Sequence, residues 1–166
     1  MLYLSQSHDR ALKRAAIQQY PEECCGLLLG RIEAAGDRRW VLAIRPLANQ
    51  WQPALGVLNQ GDGSDQPLDR RRRYWIDPQD LFQVHREARD RGWDVIGVYH
   101  SHPDHVAQPS ERDRAMAWEG YSYPILSVQR GRVVDVQSWR LQEEGQFRGE
   151  PITVTDDIDI QDLELR

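Results

Sequence analysis

The first third of the chain changes from a helical to a strand-like pattern of apolar residues. Residues 7–20 place small and apolar side chains at helical spacing, which predicts an amphipathic helix with Ser7 as a possible N-cap and Pro21 as its stop. The near-continuous apolar run CCGLLLGRIE follows, and its length is typical of a buried strand. Turn residues AAGDR separate it from RWVLAIRPL at 39–47, so we expect a hairpin.

The middle of the chain is polar, and patterns typical of a strand and a helix follow it. Residues 49–73 contain glycines, prolines and the basic run Arg70–Arg73, which predicts a long surface loop with solvated arginines. The sequence YWIDP then predicts a short strand at Tyr74–Ile76. Asp77 is the expected N-cap of a second helix that starts at Pro78.

This second helix is expected to reach about Arg91, with Gly92 as its stop. Its residues predicted to share one face are Leu81, Phe82, His85 and Ala88. The apolar run WDVIGVYHSH predicts a central strand that ends in two histidines.

The remaining pattern predicts one more helix and several strands. SERDRAMAWEG is expected to form a helix from Ser110 to Gly120, and YSYPILSVQ, RVVDVQSWRL and EPITVTDD are expected to be strands. This order predicts an α/β fold of the α+β type, with a curved mixed sheet flanked by helices. We expect one domain over residues 1–166, in which 142–166 is a C-terminal extension.

Composition narrows the functional classes. The formal charge of −5 argues against a general nucleic-acid binder, and the basic run Arg70–Arg73 is the one feature that favours such a binder. The same negative charge argues against binding to an anionic membrane surface. We find no apolar stretch near the roughly 20 residues of a membrane span and no signal-peptide pattern. The two cysteines, Cys24 and Cys25, are adjacent and suit a reducing compartment, so a cytoplasmic protein is expected.

The run HSHPDHVAQPSERD carries the candidate chemistry. His100 and His102 are two residues apart at a strand end, so extended backbone points both side chains to one face. Asp113 follows early in the third helix, and PDHVAQP can fold it back over the pair. Two imidazoles and one carboxylate leave a fourth tetrahedral position open, as in a catalytic zinc site.

Other interpretations of the same residues remain open on spacing alone. A pair of loop histidines occurs often by chance, and Asp113 with Ser110 resembles a helix capping box. His105 is a rival ligand. The spacing therefore makes a metal site plausible without establishing it.

A resemblance to a known protein family adds to the argument for a metal site. The run from His100 to Asp113 resembles the JAMM motif HxHP-x6-S-x2-D of the MPN (JAB-type) zinc metalloproteases, in particular their bacterial single-domain branch. The segment Pro21-Glu22-Glu23-Cys24-Cys25-Gly26 is similar to the P-x-E-x-C-G signature of that family. The resemblance covers about residues 5–141 and implies an MPN/JAB-like, cytidine-deaminase-like fold.

The resemblance also implies roles. His100, His102 and Asp113 would bind Zn2+, Glu23 would be the general base, and Ser110 would hydrogen-bond the oxyanion, while His105 matches no motif position. Glu22 competes with Glu23, but neighbours in a strand point to opposite faces, and the motif register selects Glu23. Cys25 is expected to be a buried structural residue rather than a nucleophile.

The implied substrate is an amide at the C-terminus of a ubiquitin-like or ThiS/MoaD-like sulfur-carrier protein that ends in Gly-Gly. Such a tail fits a narrow groove because it has no side chains. Two rival hypotheses are a metallopeptidase with another peptide substrate and a non-catalytic MPN scaffold. The complete set of motif residues favours the enzyme.

Overall fold

The computed structural model describes residues 1–33, 38–53 and 69–156. Its strands are β1 (Leu2–Ser5), β2 (Cys25–Ile32), β3 (Arg39–Leu47), β4 (Asp94–Pro103), β5 (Ser122–Gln129), β6 (Arg132–Leu141), β7 (Phe147–Glu150) and β8 (Ile152–Thr155). Its helices are α1 (Gln6–Gln19), α2 (Pro78–Asp90) and α3 (Glu111–Met116). Within these ranges no helix is long and apolar enough to cross a membrane.

The described strands form one mixed sheet in the order β7-β6-β5-β4-β2-β3-β1-β8. Strands β2 and β3 are the expected antiparallel hairpin, although residues 34–37 of the predicted turn AAGDR lie outside the described residues. Strand β4 lies between β2, which is antiparallel to it, and β5, which is parallel. The predicted α+β fold with a curved mixed sheet is confirmed.

The two faces of the sheet bury different cores. Leu12 and Ala16 of α1 pack on one face together with Leu28. Val84 and Ala88 of α2 pack on the other face, against alternate strand residues such as Leu27, Leu29 and Val98. Because side chains alternate along a strand, the buried run of β2 supplies both cores at once.

Several local predictions need correction. Ser5, not Ser7, caps α1, because the Ser5 hydroxyl accepts a hydrogen bond from the His8 N–H. The segment Tyr74–Ile76 is not a strand. The N–H of Trp75 donates to the Asn49 side chain and its carbonyl accepts from the Gln50 N–H, so these groups do not enter a strand ladder.

The helix predictions are right in position and only partly right in extent. Asp77 caps α2 and Pro78 opens it, as predicted. However, Phe82 is 66% exposed and His85 is exposed, and the buried residue between them is Val84, which the predicted face omitted. Helix α3 ends at Met116 and not at Gly120.

The sequence predicted only one of the two edge strands, because β8 lies within the run EPITVTDD that was expected to be a strand. The first strand, β1, was not predicted, and it pairs in parallel with both β3 and β8. Strand β7 was not predicted either, and it extends the opposite edge next to β6. Residues 147–155, which we expected in an extension, therefore supply both edge strands.

Candidate functional site

The two histidines lie at the carboxyl end of β4. Val98, His100 and His102 alternate with Tyr99, so both histidines share the face of the α2 core. The His100 side chain is 1% exposed and the His102 side chain 11%. Their Nε2 atoms are 3.0 Å apart, so the predicted pair converges on one point.

Helix α3 brings Asp113 to the same point. Asp113 Oδ1 lies 3.3 Å from His100 Nε2, and Oδ2 lies 3.6 Å from His102 Nε2. A tetrahedral zinc site with bonds of about 2.0–2.1 Å has ligand–ligand edges of about 3.3 Å, so these separations match a metal centre. The structure thus assembles the three predicted ligands, and their donor set of two imidazoles and one carboxylate fits zinc.

Each histidine ring is held in orientation. His102 Nδ1 lies 2.8 Å from the Val106 carbonyl, and donation of its N–H there leaves the lone pair on Nε2 facing the cluster. The His100 ring stacks on Tyr74 with centroids 4.8 Å apart. Burial lowers the pKa of His100 despite the opposing charge of Asp113, which favours the neutral imidazole that binds metal.

The capping box of α3 fixes Asp113. The Ser110 hydroxyl accepts from the Asp113 N–H at 3.2 Å and donates to Asp113 Oδ2 at 2.7 Å, while the Ser110 N–H also donates to Oδ2 at 2.7 Å. Burial opposes ionisation of Asp113, yet its contacts with His100 and His102 hold the pKa of the carboxyl well below its usual range. In the structure the Ser110 hydroxyl therefore donates to Asp113 and positions it, whereas the family resemblance implies that this hydroxyl hydrogen-bonds an oxyanion.

Glu23 is a buried carboxylate beside this cluster. It is 5% exposed and lines a cavity of about 250 Å³ together with Ser110 and Asp113. Burial, and then the charge of Asp113, raise the pKa of Glu23 well above its usual value, as a base that works near neutrality requires. Glu23 precedes β2 rather than lying in it, so the strand-alternation argument against Glu22 does not apply.

Glu22 differs from Glu23 in its environment. The Glu22 carboxylate accepts a hydrogen bond from the Gln19 side chain at an exposed position, outside the cavity that Glu23 lines. The prediction of Glu23 rather than Glu22 as the base therefore agrees with the burial of Glu23, although the strand-register argument behind it does not apply.

Two residues that sequence reasoning missed hold Glu23 in place. The Asn49 side chain donates to the carbonyls of Glu23 and Arg73 and accepts from the N–H groups of Trp51 and Trp75. The buried Ser101 hydroxyl accepts from the Cys24 N–H at 2.9 Å. No local pattern marks either residue for this role, because Asn49 is distant in sequence from Glu23 and Ser101 is distant from Cys24.

The remaining candidates are placed outside the cluster. His105 is exposed, and its carbonyl accepts from the Ser127 hydroxyl. Cys24 and Cys25 are free and buried, and burial raises the pKa of both thiols, of Cys24 to about 11. Neither cysteine therefore has the thiolate character of a nucleophile.

The basic run is not the solvated segment that we predicted. Arg71 is exposed, but Arg73 is 7% exposed and lines the cavity with Arg72. The part of the predicted loop at 54–68 lies outside the described residues. Two tryptophans, Trp75 and Trp118, line the cavity, and Trp139 packs on the α2 core.

Comparisons with known proteins agree with the fold and the motif. The family model described as prokaryotic homologs of the JAB domain matches residues 5–142. A protein of Haloferax volcanii named desampylase is 32% identical over 108 residues, which is 64% of this chain and 63% of that protein. The alignment thus spans less than two thirds of that relative.

Solved structures resemble the chain over nearly its whole length. A protein of Desulfitobacterium hafniense has a TM-score of 0.75 with 28% identity, covering 96% of both chains. A protein of Salinibacter ruber has a TM-score of 0.65 with 32% identity, covering 94% of this chain and 92% of its own. A JAB1/MPN domain protein of Archaeoglobus fulgidus has a TM-score of 0.51 with 15% identity, covering 94% and 98%, and shares the fold.

Proposed function

This chain belongs to the family of prokaryotic homologs of the JAB domain, and from that premise we propose that it is a zinc-dependent isopeptidase or peptidase. Its proposed substrate is an amide at the C-terminus of a ubiquitin-like or sulfur-carrier protein that ends in Gly-Gly. The name of the Haloferax relative denotes removal of a ubiquitin-like modifier from other proteins, and this supports the proposed class. The convergence of His100, His102 and Asp113 carries the proposal.

His100, His102 and Asp113 would hold the metal. A bound zinc ion supplies Lewis acidity, which polarises a carbonyl group and lowers the pKa of a water molecule toward about 7. The neutral His100 ring and the ionised Asp113 are the forms that bind a cation.

Glu23 is the proposed general base. Its raised pKa lets it accept a proton from the attacking water near neutrality and then donate that proton to the leaving amine. Ser110 is proposed to donate its hydroxyl proton to the oxyanion. Because that proton is shared with Asp113 Oδ2 in the structure, the hydroxyl must rotate before it can do so.

The test uses two substrates made from one ThiS-type carrier protein. In one, a short peptide extends the Gly-Gly end, and in the other a lysine side chain is attached to it by an isopeptide bond. We expect the zinc-loaded protein to release at least one carrier with a free Gly-Gly end, detected by mass spectrometry. A chelator should abolish the release.

Two matched variants locate the base. Glu23→Gln should lower turnover by about 10²–10⁴-fold, the usual contribution of a general base, with zinc retained. Glu22→Gln changes the adjacent carboxylate and should leave turnover unchanged. Failure of the wild type on both substrates contradicts the substrate class, and the reverse order of the two variants contradicts the role of Glu23.

A further inference from the structure

The cavity beside the metal cluster is larger and more apolar than a Gly-Gly tail needs. Its polar end is formed by Glu23, Ser110 and Asp113. The rest of its wall is mainly apolar and includes Leu27, Ile76, Leu81, Val98, Met116 and Trp118. Several of these residues also belong to the α2 core, and a Gly-Gly end, which has no side chains, would leave the side of them that faces the cavity uncovered.

The volume of the cavity indicates the size of a substrate residue that would cover this wall. At about 250 Å³ it is below the roughly 300–1,000 Å³ typical of pockets for drug-sized ligands. It therefore suits a single amino acid with an apolar side chain. Since Glu23, the proposed proton donor to the leaving amine, lines the same cavity, that amino acid lies on the leaving side of the scissile bond.

Arg112 supplies a cation at this cavity. It lies in the first turn of α3, next to Asp113, and its side chain is half-buried in the cavity wall. Among the residues that the structure describes, none accepts a hydrogen bond from its guanidinium or forms an ion pair with it within 4.0 Å.

The neighbouring charged groups are not partners of the Arg112 guanidinium within ion-pair distance in the part of the chain that the structure describes. Arg73 also lines the cavity, and its positive charge acts on Arg112, while the charges of Asp113 and Glu23 act on Arg112 in the opposite sense. The Asp113 oxygens face the two histidines and Ser110. A planar guanidinium with free donors is the group that best binds a carboxylate in a bidentate manner.

We propose that Arg112 binds the free α-carboxylate of the residue attached to the Gly-Gly end, and that the apolar wall receives the side chain of that residue. The inference rests on the proposed function and makes it more specific. The preferred leaving group is a single terminal amino acid with an apolar side chain. Arg112 is a specificity-determining residue in this scheme, and it takes no part in bond cleavage.

A binding experiment tests the carboxylate site without turnover. L-phenylalanine and L-phenylalaninamide are titrated into the purified zinc-loaded protein, and tryptophan indole shifts are followed by NMR. We expect L-phenylalanine to bind at least about tenfold more tightly, a ratio typical of one charge-assisted hydrogen bond. Equal affinities would overturn the proposal.

Two variants assign the effect to one side chain. Arg112→Gln should abolish the preference for the carboxylate. Arg114→Gln removes the same charge from the same helix, but Arg114 is paired with Glu111 and does not line the cavity, so it should keep the preference. A preference that survives in Arg112→Gln, for example through carboxylate binding to zinc, would overturn the proposal.

A turnover experiment separates this inference from the proposed function. Carrier proteins extended after Gly-Gly by phenylalanine or by phenylalaninamide are compared by kcat/KM. We expect at least about a tenfold preference for the free carboxylate, lost in Arg112→Gln. Cleavage of both at equal rates upholds the proposed function and overturns this inference. Discrimination in binding without cleavage of either carrier overturns a single amino acid as the leaving group, and the isopeptide substrate then decides whether the proposed function holds.

Discussion

The backbone N–H of Cys24 donates a hydrogen bond of 2.9 Å to the side-chain hydroxyl of Ser101. Ser101 is the residue between the two histidines, and Cys24 follows Glu23. The Ser101 N–H returns a bond of 3.1 Å to the Cys24 carbonyl. This reciprocal pair sets the position of the proposed base relative to the metal ligands across 77 residues of sequence.

Replacing Ser101 tests this relationship. Ser101→Ala leaves the buried Cys24 N–H without its acceptor, which should cost about 1–3 kcal/mol of the free energy of unfolding. Because Glu23 is then less firmly held, kcat should fall while the zinc content is kept. Ser122→Ala is the matched control, since Ser122 is also fully buried in the sheet and its hydroxyl has no hydrogen-bond partner among the described residues. Equal losses of stability, measured by urea unfolding, would contradict the role of Ser101.

The metal site can be tested before any substrate is known. We expect one equivalent of zinc in the wild type and loss of most of it in His102→Ala, because a three-ligand protein site loses one donor. Elemental analysis after dialysis measures this. His105→Ala removes an exposed histidine three residues away and should keep the full equivalent. Zinc loss in His105→Ala with retention in His102→Ala would reverse the assignment.

The raised pKa of Glu23 predicts how stability depends on pH. Burial and the charge of Asp113 raise the pKa in the folded protein, so the stabilising contribution of Glu23 is full below the unfolded value and is lost as the pH rises through the folded value. In metal-free protein, Glu23→Gln should therefore be more stable than the wild type at pH 8, by roughly 0.5–2 kcal/mol.

The same comparison at about pH 4 provides the control. There the wild-type carboxyl is largely protonated in both states, because the ordinary Glu pKa is about 4.3, so the difference between Glu23→Gln and the wild type should be smaller than at pH 8. Thermal unfolding of both proteins at the two pH values measures it. A stability difference that does not change with pH would contradict a buried, hard-to-ionise Glu23.

Gly26 is predicted to be required by close packing. A Cβ there would lie 2.3 Å from the Arg45 carbonyl oxygen and 2.6 Å from the Tyr99 ring. Gly26→Ala should destabilise the protein by roughly 1–3 kcal/mol or more, because neither the strand backbone nor the buried ring can yield easily. Gly149→Ala, in strand β7 where a Cβ meets nothing within 4 Å, should change stability by no more than about 1 kcal/mol. Denaturant unfolding of the two variants compares them, and similar losses in both would contradict this explanation.

The sequence alone determined the features that depend on neighbouring residues. The two-residue spacing of His100 and His102 puts them on one face of a strand, and Ser110 with Asp113 forms a capping box within one helical turn. The Asp77 cap and the β2–β3 hairpin are local in the same sense. Short sequence patterns predict such features because the contacts that form them join residues close together in the chain.

Tertiary structure decided the rest. Glu23 lies beside the histidines because Cys25 pairs with His100 across β2 and β4 and Ser101 binds Cys24. Asn49 holds Glu23 and the segment that we had predicted as a strand, and β1 pairs with the edge strand β8 from the opposite end of the described chain. These contacts satisfy buried polar groups and sheet edges with distant partners, for which a local pattern carries no signal.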